Sequence, residues 1–280
     1  MKLASYRLNN KDSYGVVVGD GIVDLGKRLP YADLRALLEA DGLSKAADLA
    51  KEKPDAKVAD VTFLPLIANP GKIICVGLNY KAHREETGRK PTDNPALFVR
   101  FPDSQTAHGD VMVKPKNSVE FDYEGELAIV IGKSGRHIAE KDAFSIIAGY
   151  SCYNDGSVRD WQRHTSQWAP GKNFWRTGGF GPWMVTADEI PARTVMTLVS
   201  RLNGQEMQRA TTEMMIHSIE RQIAYASTVA PLQAGDVIVT GTPGGVGARR
   251  EPPVWMKPGD VIEIEVDRIG VLRNTVTDEG

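Results

Sequence analysis

The chain has 280 residues, of which 41% are hydrophobic and 25% charged, a composition that favours a folded globular protein and argues against disorder, collagen-like repeats and a coiled coil. The 34 Lys and Arg residues nearly balance the 36 Asp and Glu residues, so the net charge of -2 supplies no broad positive field for a nucleic acid. No run approaches the roughly 18 apolar residues of a membrane span, and the first residues lack the apolar core of a signal peptide, so we expect a cytoplasmic protein.

Residues 1–70 are expected to form a small N-terminal α/β domain. In chain order, the pattern predicts strands over 2–8, 15–18 and 22–25, with a tight turn at 19–21, and helices over 33–40 and 44–51. No cluster of reactive side chains occurs in this unit. Pro65 and Pro70 interrupt the segment that follows, so we place a domain boundary near residue 70 and a larger domain over residues 71–280.

From residue 72 onward, short apolar runs alternate with turns, which is typical of a mainly β domain. The runs are KIICVGL, ALFVRF, DVMVK, ELAIVIG, AGYSCYN, GPWMVT, VMTLVSRL, DVIVT, VIEIEV and VLRNTV. Turns are predicted at Asn203-Gly204 and over residues 257–260, so we expect largely antiparallel pairing. One helix is expected over residues 212–227, where apolar residues recur at helical spacing.

The two cysteines, Cys75 and Cys152, lie in separate apolar, strand-like runs. Neither has a second cysteine or a histidine close by in the sequence. This placement argues against a structural disulfide, and we interpret both residues as buried, reduced thiols.

Two carboxylates, Glu124 and Glu126, open the strand-like run that continues to Gly132. At a spacing of two residues on a strand they share one face, where desolvation and mutual repulsion penalise both charges unless a cation lies beside them. Asp155 follows another apolar run and can reach the same place from a strand end. Three carboxylates suit a hard cation such as Mg²⁺, Mn²⁺ or Ca²⁺, whereas the histidines lack the spacing of a zinc site. The alternative is that the two glutamates form the solvated face of an edge strand.

His83 and Glu86 are three residues apart in a segment that can form a helical turn, so they face the same way. Glu86 can then hold one imidazole nitrogen and leave the other to act as a base. An exposed polar helix with an incidental histidine is the alternative. The polar, proline-broken segment 89–95 fits a mobile lid over a site as well as it fits an ordinary surface loop.

Three further segments carry polar groups that could act on a substrate. Residues 157–164 can be helical, which places Arg159 and Gln162 on one face. Lys172 could supply a cation for a carboxylate or a developing enolate, although a single loop lysine usually has no such role. The glycine-rich loop around Thr242 lacks the sequence of a nucleotide-binding loop, but its backbone amides could bind a carboxylate; an ordinary glycine turn is the alternative.

The order and spacing of these motifs resemble the fumarylacetoacetate hydrolase family over about residues 70–275. The motifs are, in chain order, GLNYKAH, FDYEGELAIVIG, YNDGSVRDWQ, GKNF, GPWMVT and VTGTPGG. Within this family, the chain resembles bacterial members of the acylpyruvase and fumarylpyruvate hydrolase type. The resemblance implies a mixed β-sandwich roll in a homodimer. It also implies a Mg²⁺ or Mn²⁺ site that acts on a small oxo acid, with the small N-terminal domain as an accessory unit.

The resemblance assigns expected roles to individual positions of this chain. The resemblance implies that the metal ligands are Glu124, Glu126 and Asp155. It implies that the catalytic groups are His83, Glu86 and Lys172. The residues implied for substrate binding are Tyr80, Arg159, Gln162 and Thr242. The chain departs from the family pattern at Trp175, where many members have an aspartate after the GK-x-F motif. A neutral aromatic side chain in place of a carboxylate could change a hydrogen bond behind Lys172 or the shape of the pocket, which bears on the choice of substrate and not on the metal site.

We predict a hydrolase that cleaves a carbon–carbon bond in a small β-dicarbonyl acid, such as an acylpyruvate, a fumarylpyruvate or a diketo sugar acid, with a role in aromatic catabolism. The same site could instead serve oxaloacetate decarboxylation, or a hydratase or isomerase reaction. A catalytically inactive binding protein is the third hypothesis. The intact His83, Glu86 and Lys172 argue against it, because a binding protein needs no oriented base. No nucleic acid or membrane partner is expected.

Overall fold

The computed structural model of the chain describes residues 1–90 and 92–280. Its strands are β1 (Lys2–Leu8), β2 (Lys11–Val18), β3 (Gly21–Asp24), β4 (Ala56–Lys57), β5 (Thr62–Phe63), β6 (Ile73–Gly77), β7 (Ala96–Arg100), β8 (Gln105–Ala107), β9 (Val111–Lys114), β10 (Phe121–Asp122), β11 (Gly125–Ile131), β12 (Ile147–Asp155), β13 (Ser157–Val158), β14 (Gly178–Thr186), β15 (Thr197–Leu202), β16 (Gln205–Thr211), β17 (Val237–Val239), β18 (Val261–Val266) and β19 (Gly270–Asp278). The α-helices are α1 (Leu34–Glu39), α2 (Leu43–Leu49), α3 (Lys81–Thr87), α4 (Arg159–Gln162), α5 (Ala169–Lys172) and α6 (Ile219–Val229). Short 3-10 turns lie at Val58–Asp60, Pro102–Ser104, Glu140–Ile146, Ala187–Glu189, Thr212–Met214 and Gly247–Arg249.

The larger sheet runs through both halves of the chain. Ten of its strands follow one another in the order β4-β3-β2-β1-β14-β12-β11-β17-β6-β7, while β5 pairs with β1 and β8 with β14. The predicted N-terminal strands are all present, and β1 pairs with β14 in antiparallel fashion, with Leu3 opposite Met184. The sheet is therefore continuous across residue 70, and the division into two domains at that residue stays a prediction.

A second sheet packs on the first and completes a β-sandwich. Its five strands have the order β16-β15-β18-β19-β9, and β15 and β18 contact β11. Leu127 and Ile129 of β11 join Leu198 in the apolar core of the sandwich, whereas Ala128 and Val130 belong to the core that covers the N-terminal helices. The predicted mainly β sandwich is confirmed, and β11 is buried along its whole length.

The predicted hairpin turn between β15 and β16 is confirmed. Leu202 pairs with Gln205, so Asn203 and Gly204 are the two residues of the turn. Their φ angles are 53° and 79°, and positive values at both positions are what a tight turn of the type I′ class requires. Asparagine and glycine adopt this backbone conformation at little cost, which is why their pairing predicts the turn.

The helix predicted over residues 212–227 begins and ends later than expected, because α6 spans Ile219–Val229. The prediction is wrong for the segment before Ser218. There the Ile216 amide donates a hydrogen bond to the carbonyl of Asn79 at 2.7 Å, which ties the backbone to another part of the chain. The apolar residues of this segment therefore make tertiary contacts and do not form a helix face.

The start of α6 allows a prediction about stability. Ser218 is extended, and its hydroxyl accepts a hydrogen bond from the Arg221 amide at 3.3 Å. We expect Ser218→Ala to lower the free energy of unfolding by about 1 kcal/mol, because this amide loses its cap. Urea denaturation measures the change, with Thr228→Ala at an exposed position of the same helix as the control. Equal losses in both variants would contradict the capping role.

The predictions about the cysteines, membrane spans, the lid, the homodimer and the cellular location can now be compared with the structure. Cys75 and Cys152 are buried and free, as predicted. Within the described residues, we find no helix with the length and hydropathy of a membrane span. The predicted lid over residues 89–95 includes Pro91, which lies outside the described residues. The homodimer and the cytoplasmic location stay predictions.

Candidate active site

Glu124, Glu126 and Asp155 converge at one place in the fold. Strand β11 begins directly after Glu124 and has Glu126 as its second residue, and the neighbouring antiparallel strand β12 ends at Asp155. The Asp155 amide donates to the Glu124 carbonyl at 2.8 Å, which fixes the two strand ends side by side. One carboxylate oxygen of each residue lies within 4.8 Å of those of the other two. All three side chains are buried, so they do not form a solvated strand face.

This donor set fits a hard divalent cation. Three carboxylates supply the oxygen ligands that Mg²⁺, Mn²⁺ and Ca²⁺ prefer. Glu126 is only 2% exposed, and among the described residues its carboxylate accepts a hydrogen bond from one group, the Gly241 amide. Burial, together with Asp155 and Glu124, raises the pKa of Glu126 well above its usual range. A cation between the three carboxylates would offset this penalty.

Two buried cations contact Glu124, and one of them also contacts Asp155. Lys172 Nζ lies 2.6 Å from Glu124 Oε2 and 2.6 Å from Asp155 Oδ2. Burial disfavours the ammonium, but the two carboxylates outweigh it and raise the pKa of Lys172. Arg159 contacts Glu124 from the other side at 2.6 Å. Burial by itself would raise the pKa of Glu124, but Arg159 and Lys172 hold it well below its usual range. Both members of the Lys172–Glu124 pair are therefore charged at neutral pH.

Two residues that sequence reasoning missed complete this network. Arg100, at the end of β7, donates to the Asp155 carboxylate and, at 2.8 Å, to the Thr177 hydroxyl. Asp122 accepts a hydrogen bond from Arg159 Nε at 2.8 Å. Positive and negative groups thus alternate through the interior. We call this row the charge ladder, and its members in spatial order are Arg100, Asp155, Lys172, Glu124, Arg159 and Asp122.

Helix α3 brings His83 and Glu86 onto one face, as the spacing predicted. His83 Nδ1 lies 2.7 Å from Glu86 Oε1, and the other carboxylate oxygen accepts from the Gly245 amide at 2.9 Å. Because a carboxylate can only accept, the proton of the neutral imidazole belongs on Nδ1, and Nε2 is left as an acceptor. His83 is 5% exposed and lines the same cavity as Glu124. The pair has the geometry of an oriented base.

The four predicted substrate-binding residues lie in different surroundings. Arg159 and Gln162 line the cavity from α4, a single turn that is shorter than the predicted helix over 157–164, and Arg159 donates to Gln162 Oε1 at 3.0 Å. Thr242 also lines the cavity, while its hydroxyl donates to a carbonyl of β11 at 3.0 Å. Tyr80 borders a second cavity behind α3, and within the described residues its buried hydroxyl has no hydrogen-bond partner. The structure thus brings three of the four to the cavity.

The cavity beside the carboxylates has a volume of about 290 Å³. Its floor is formed by the buried Glu124, Glu126 and Lys172, and an aromatic wall is formed by Phe98 and Trp168. Its mouth is lined by three exposed arginines, Arg89, Arg163 and Arg249. The cavity therefore combines an acidic floor suited to a cation with a positive mouth suited to an anion.

Trp175, where the chain departs from the family pattern, lies away from this cavity. Its side chain is 57% exposed, and the Arg176 guanidinium lies 5.3 Å from the centre of its ring. Trp175 is not among the described residues that line the cavity. The lining of the cavity therefore gives no support to the expectation that this departure affects the choice of substrate.

Glu126→Gln tests the metal site directly. We expect the variant to stabilise the metal-free protein, because it replaces a buried carboxyl group whose ionisation is opposed by burial and by two other carboxylates, and to weaken binding of Mn²⁺. Because the pKa of Glu126 is raised in the folded protein, the unfolded chain loses this proton at a lower pH than the folded protein does. The gain in stability should therefore grow as the pH rises above the ordinary pKa of a glutamate. Thermal unfolding in EDTA and in Mn²⁺ measures both effects, with the exposed Glu52→Gln as the control. A variant that keeps the full Mn²⁺-dependent rise in Tm would contradict the assignment of Glu126 as a ligand.

Fold and site together define an enzyme of the β-sandwich type with a buried carboxylate site for a divalent cation. Residues 72–277 match the family described as "Fumarylacetoacetate (FAA) hydrolase C-terminal". The chain belongs to the fumarylacetoacetate hydrolase family, as its motifs suggested. The match begins close to the boundary predicted near residue 70.

Three similar proteins are named for different reactions. The mitochondrial oxaloacetate tautomerase Fahd2a of Rattus norvegicus is 38% identical over 265 residues, which cover 92% of this chain and 85% of that protein. Maleylpyruvate hydrolase from Sphingobium sp. SYK-6, solved with manganese (II) ion and pyruvate, is 29% identical with a TM-score of 0.84, and 100% of both chains are covered. The 5-carboxymethyl-2-hydroxymuconate delta-isomerase from Mycobacterium smegmatis is 30% identical with a TM-score of 0.79, again with 100% of both chains covered. This chain is thus similar to a tautomerase, a hydrolase and an isomerase.

Proposed function

We propose that this chain is a divalent-metal-dependent enzyme that interconverts the enol and keto forms of a small 2-oxo dicarboxylic acid, with oxaloacetate as the first substrate to test. The observation that carries the proposal is the oriented base: His83, held by Glu86, lines the same cavity as two carboxylates of the cluster, Glu124 and Glu126. The tautomerase relative, at 38% identity, supports this reaction over the hydrolysis predicted first, since the hydrolase relative is 29% identical.

The charges of the site support a dicarboxylic substrate. When Glu126 is ionised, as a metal ligand must be, Glu126 and the charge ladder together hold four carboxylates against three cations, an excess of one negative charge. A divalent cation would reverse this sign, and three exposed arginines at the mouth add further positive charge. A cavity of this kind favours an anion with a charge at each end over a neutral compound or a monoanion.

The residues of the site can move the proton that the reaction requires. His83 can take a proton from the C3 carbon of the keto acid on Nε2 and return it to the C2 oxygen, a shift that leaves atoms and charge unchanged. Glu86 holds the imidazole by Nδ1 and stabilises its protonated form between the two steps. The Lys172 ammonium lies on the cavity floor, where it can stabilise the negative oxygen of the enolate. A cation held by Glu124, Glu126 and Asp155 would polarise the 2-oxo group when bound.

Hydrolysis of a carbon–carbon bond in an acylpyruvate-type acid is the second candidate. It is favoured by the same oriented base, because His83 could instead take a proton from water, and by the likeness to maleylpyruvate hydrolase. Decarboxylation of oxaloacetate would need no base, so the His83–Glu86 pair argues for proton transfer or hydrolysis.

One panel of assays distinguishes these reactions. The enol form of oxaloacetate is diluted into buffer with the Mn²⁺-loaded protein, and loss of enol absorbance is compared with the formation of pyruvate from oxaloacetate and from maleylpyruvate. We expect rapid loss of enol without pyruvate, abolished by EDTA and restored by Mn²⁺.

Two outcomes would overturn the proposal. Pyruvate formed from maleylpyruvate, with enol loss no faster than in buffer containing Mn²⁺ alone, would favour hydrolysis. Turnover that survives complete removal of divalent metal would exclude the metal-dependent reaction.

A further inference from the structure

The three arginines at the cavity mouth are not equivalent. Arg163 forms an ion pair with Glu120, so its charge is partly neutralised. The Arg89 guanidinium lies 5.2 Å from the centre of the Trp168 ring, against the aromatic wall of the cavity. Among the residues that the structure describes, no carboxylate pairs with Arg249, which is exposed and lines the cavity. Arg249 is therefore the arginine most available to an incoming anion.

The backbone that carries Arg249 is anchored to the buried network. Arg249 ends the 3-10 turn that begins at Gly247. The amides of Gly247 and Ala248 donate to the two oxygens of Asp122 at 2.8 and 3.0 Å, and Asp122 also accepts from Arg159. Since Arg159 contacts Glu124 in turn, the turn that presents Arg249 is positioned by the same charges that form the carboxylate site.

An anionic ligand can be held at two places in the cavity, the buried floor and the exposed mouth. The carboxylate floor and Lys172 are buried, and they suit the 2-oxo acid end of a substrate, which carries the reacting carbons. The exposed mouth suits a group that does not react. A guanidinium there can donate two parallel hydrogen bonds to a carboxylate, which an ester or an alkyl group cannot accept in the same way.

We infer that Arg249 recognises the distal carboxylate of a dicarboxylic oxo acid, with Arg89 beside it at the mouth, and that it selects diacids over monoacids. The inference rests on the proposed function for the identity of the site, because it takes the carboxylate floor as the place where the 2-oxo end binds. Arg249 is a specificity residue under this inference and has no part in proton transfer.

A matched pair of stable ligands tests the inference without turnover. Binding of 2-oxoglutarate and of its 5-methyl ester to the Mn²⁺-loaded protein is measured by calorimetry; the two differ only in the distal charge. We expect the protein to prefer the diacid by about tenfold, the size of one charge-assisted contact. Because the mouth is exposed, the preference should shrink as ionic strength rises.

Three variants locate the preference. Arg249→Gln should lose about tenfold in affinity for the diacid and little for the ester. Arg249→Lys, which keeps the charge, should retain part of the preference, and the exposed Arg136→Gln should retain all of it. Equal affinities of the wild-type protein for the two ligands, or equal behaviour of Arg249→Gln and Arg136→Gln, would overturn the inference.

Failure of the proposed function leaves a different signature. In that case the Mn²⁺-loaded protein would not speed the loss of oxaloacetate enol, yet it would still prefer 2-oxoglutarate over the ester through Arg249. If the inference alone fails, enol loss is catalysed and its KM for oxaloacetate is the same in Arg249→Gln and Arg136→Gln.

Discussion

Lys172→Met is expected to destabilise the metal-free protein by about 3–5 kcal/mol and to remove most of its activity. The ammonium lies 2.6 Å from both Glu124 and Asp155 inside the charge ladder. Methionine leaves the two carboxylates buried without their shared cation, which is the costly case of a broken buried ion pair. It also removes a positive charge that can stabilise an enolate. Urea unfolding in EDTA measures the first effect, and the enol assay measures the second.

Divalent metal should reverse part of the lost stability but not the lost activity. Without Lys172, no ammonium competes with Mn²⁺ for Glu124 and Asp155. The Mn²⁺-dependent rise in Tm should therefore be larger in Lys172→Met than in the wild-type protein. Lys141→Met, at an exposed lysine, is the control and should differ from the wild type by less than about 0.5 kcal/mol. If both variants unfold at the same urea concentration in EDTA, the charge ladder contributes no net stability and this explanation is wrong.

His83→Ala is expected to lower turnover of enol oxaloacetate by about a hundredfold to ten-thousandfold, with little change in Mn²⁺ affinity. The variant removes the group that moves the proton, while Glu124, Glu126 and Asp155 remain in place. Initial rates give the loss of turnover, and titration with Mn²⁺ checks the metal site. If the rate falls only in parallel with the Mn²⁺ affinity, His83 supports the metal site and is not the base.

Neighbouring residues of α3 provide a matched test of the dyad. Glu86→Gln should lower kcat by less than His83→Ala does, because the imidazole remains but loses the carboxylate that orients and stabilises it. Glu85→Gln removes only an exposed ion pair with Lys81 at 3.8 Å and should leave kcat unchanged. Equal effects of the two substitutions would show that orientation by Glu86 plays no role.

Local patterns were sufficient to predict much of this protein. The turn at Asn203 and Gly204 depends on two residues whose backbone preferences are intrinsic. His83 and Glu86 meet because one helical turn separates them, and this contact needs no other part of the chain. A signal for Asp122 is also present in the sequence, since this residue continues the spacing of two residues seen at Glu124 and Glu126.

Contacts between distant segments could not be predicted in this way. Arg100 ends an ordinary apolar strand, and its role depends on Asp155, which lies 55 residues further along the chain. The apolar spacing predicted a helix that begins at residue 212, but α6 begins only at Ile219, and the Ile216 amide donates instead to the carbonyl of Asn79. In both cases the tertiary arrangement of the chain determines which residue is the partner. The local sequence carries no information about that arrangement.

The amino-acid sequence by itself determined most of the longer strands, the turn, the oriented histidine and the three carboxylates, because side-chain periodicity and backbone preference act over a few neighbouring residues. Only the tertiary structure decided that a row of alternating buried charges surrounds those carboxylates. It also decided that Arg249 lies at the mouth of their cavity, where no carboxylate of the described residues pairs with it. Burial makes that difference: a charge removed from water must find a partner, and the fold alone determines which residue lies within reach.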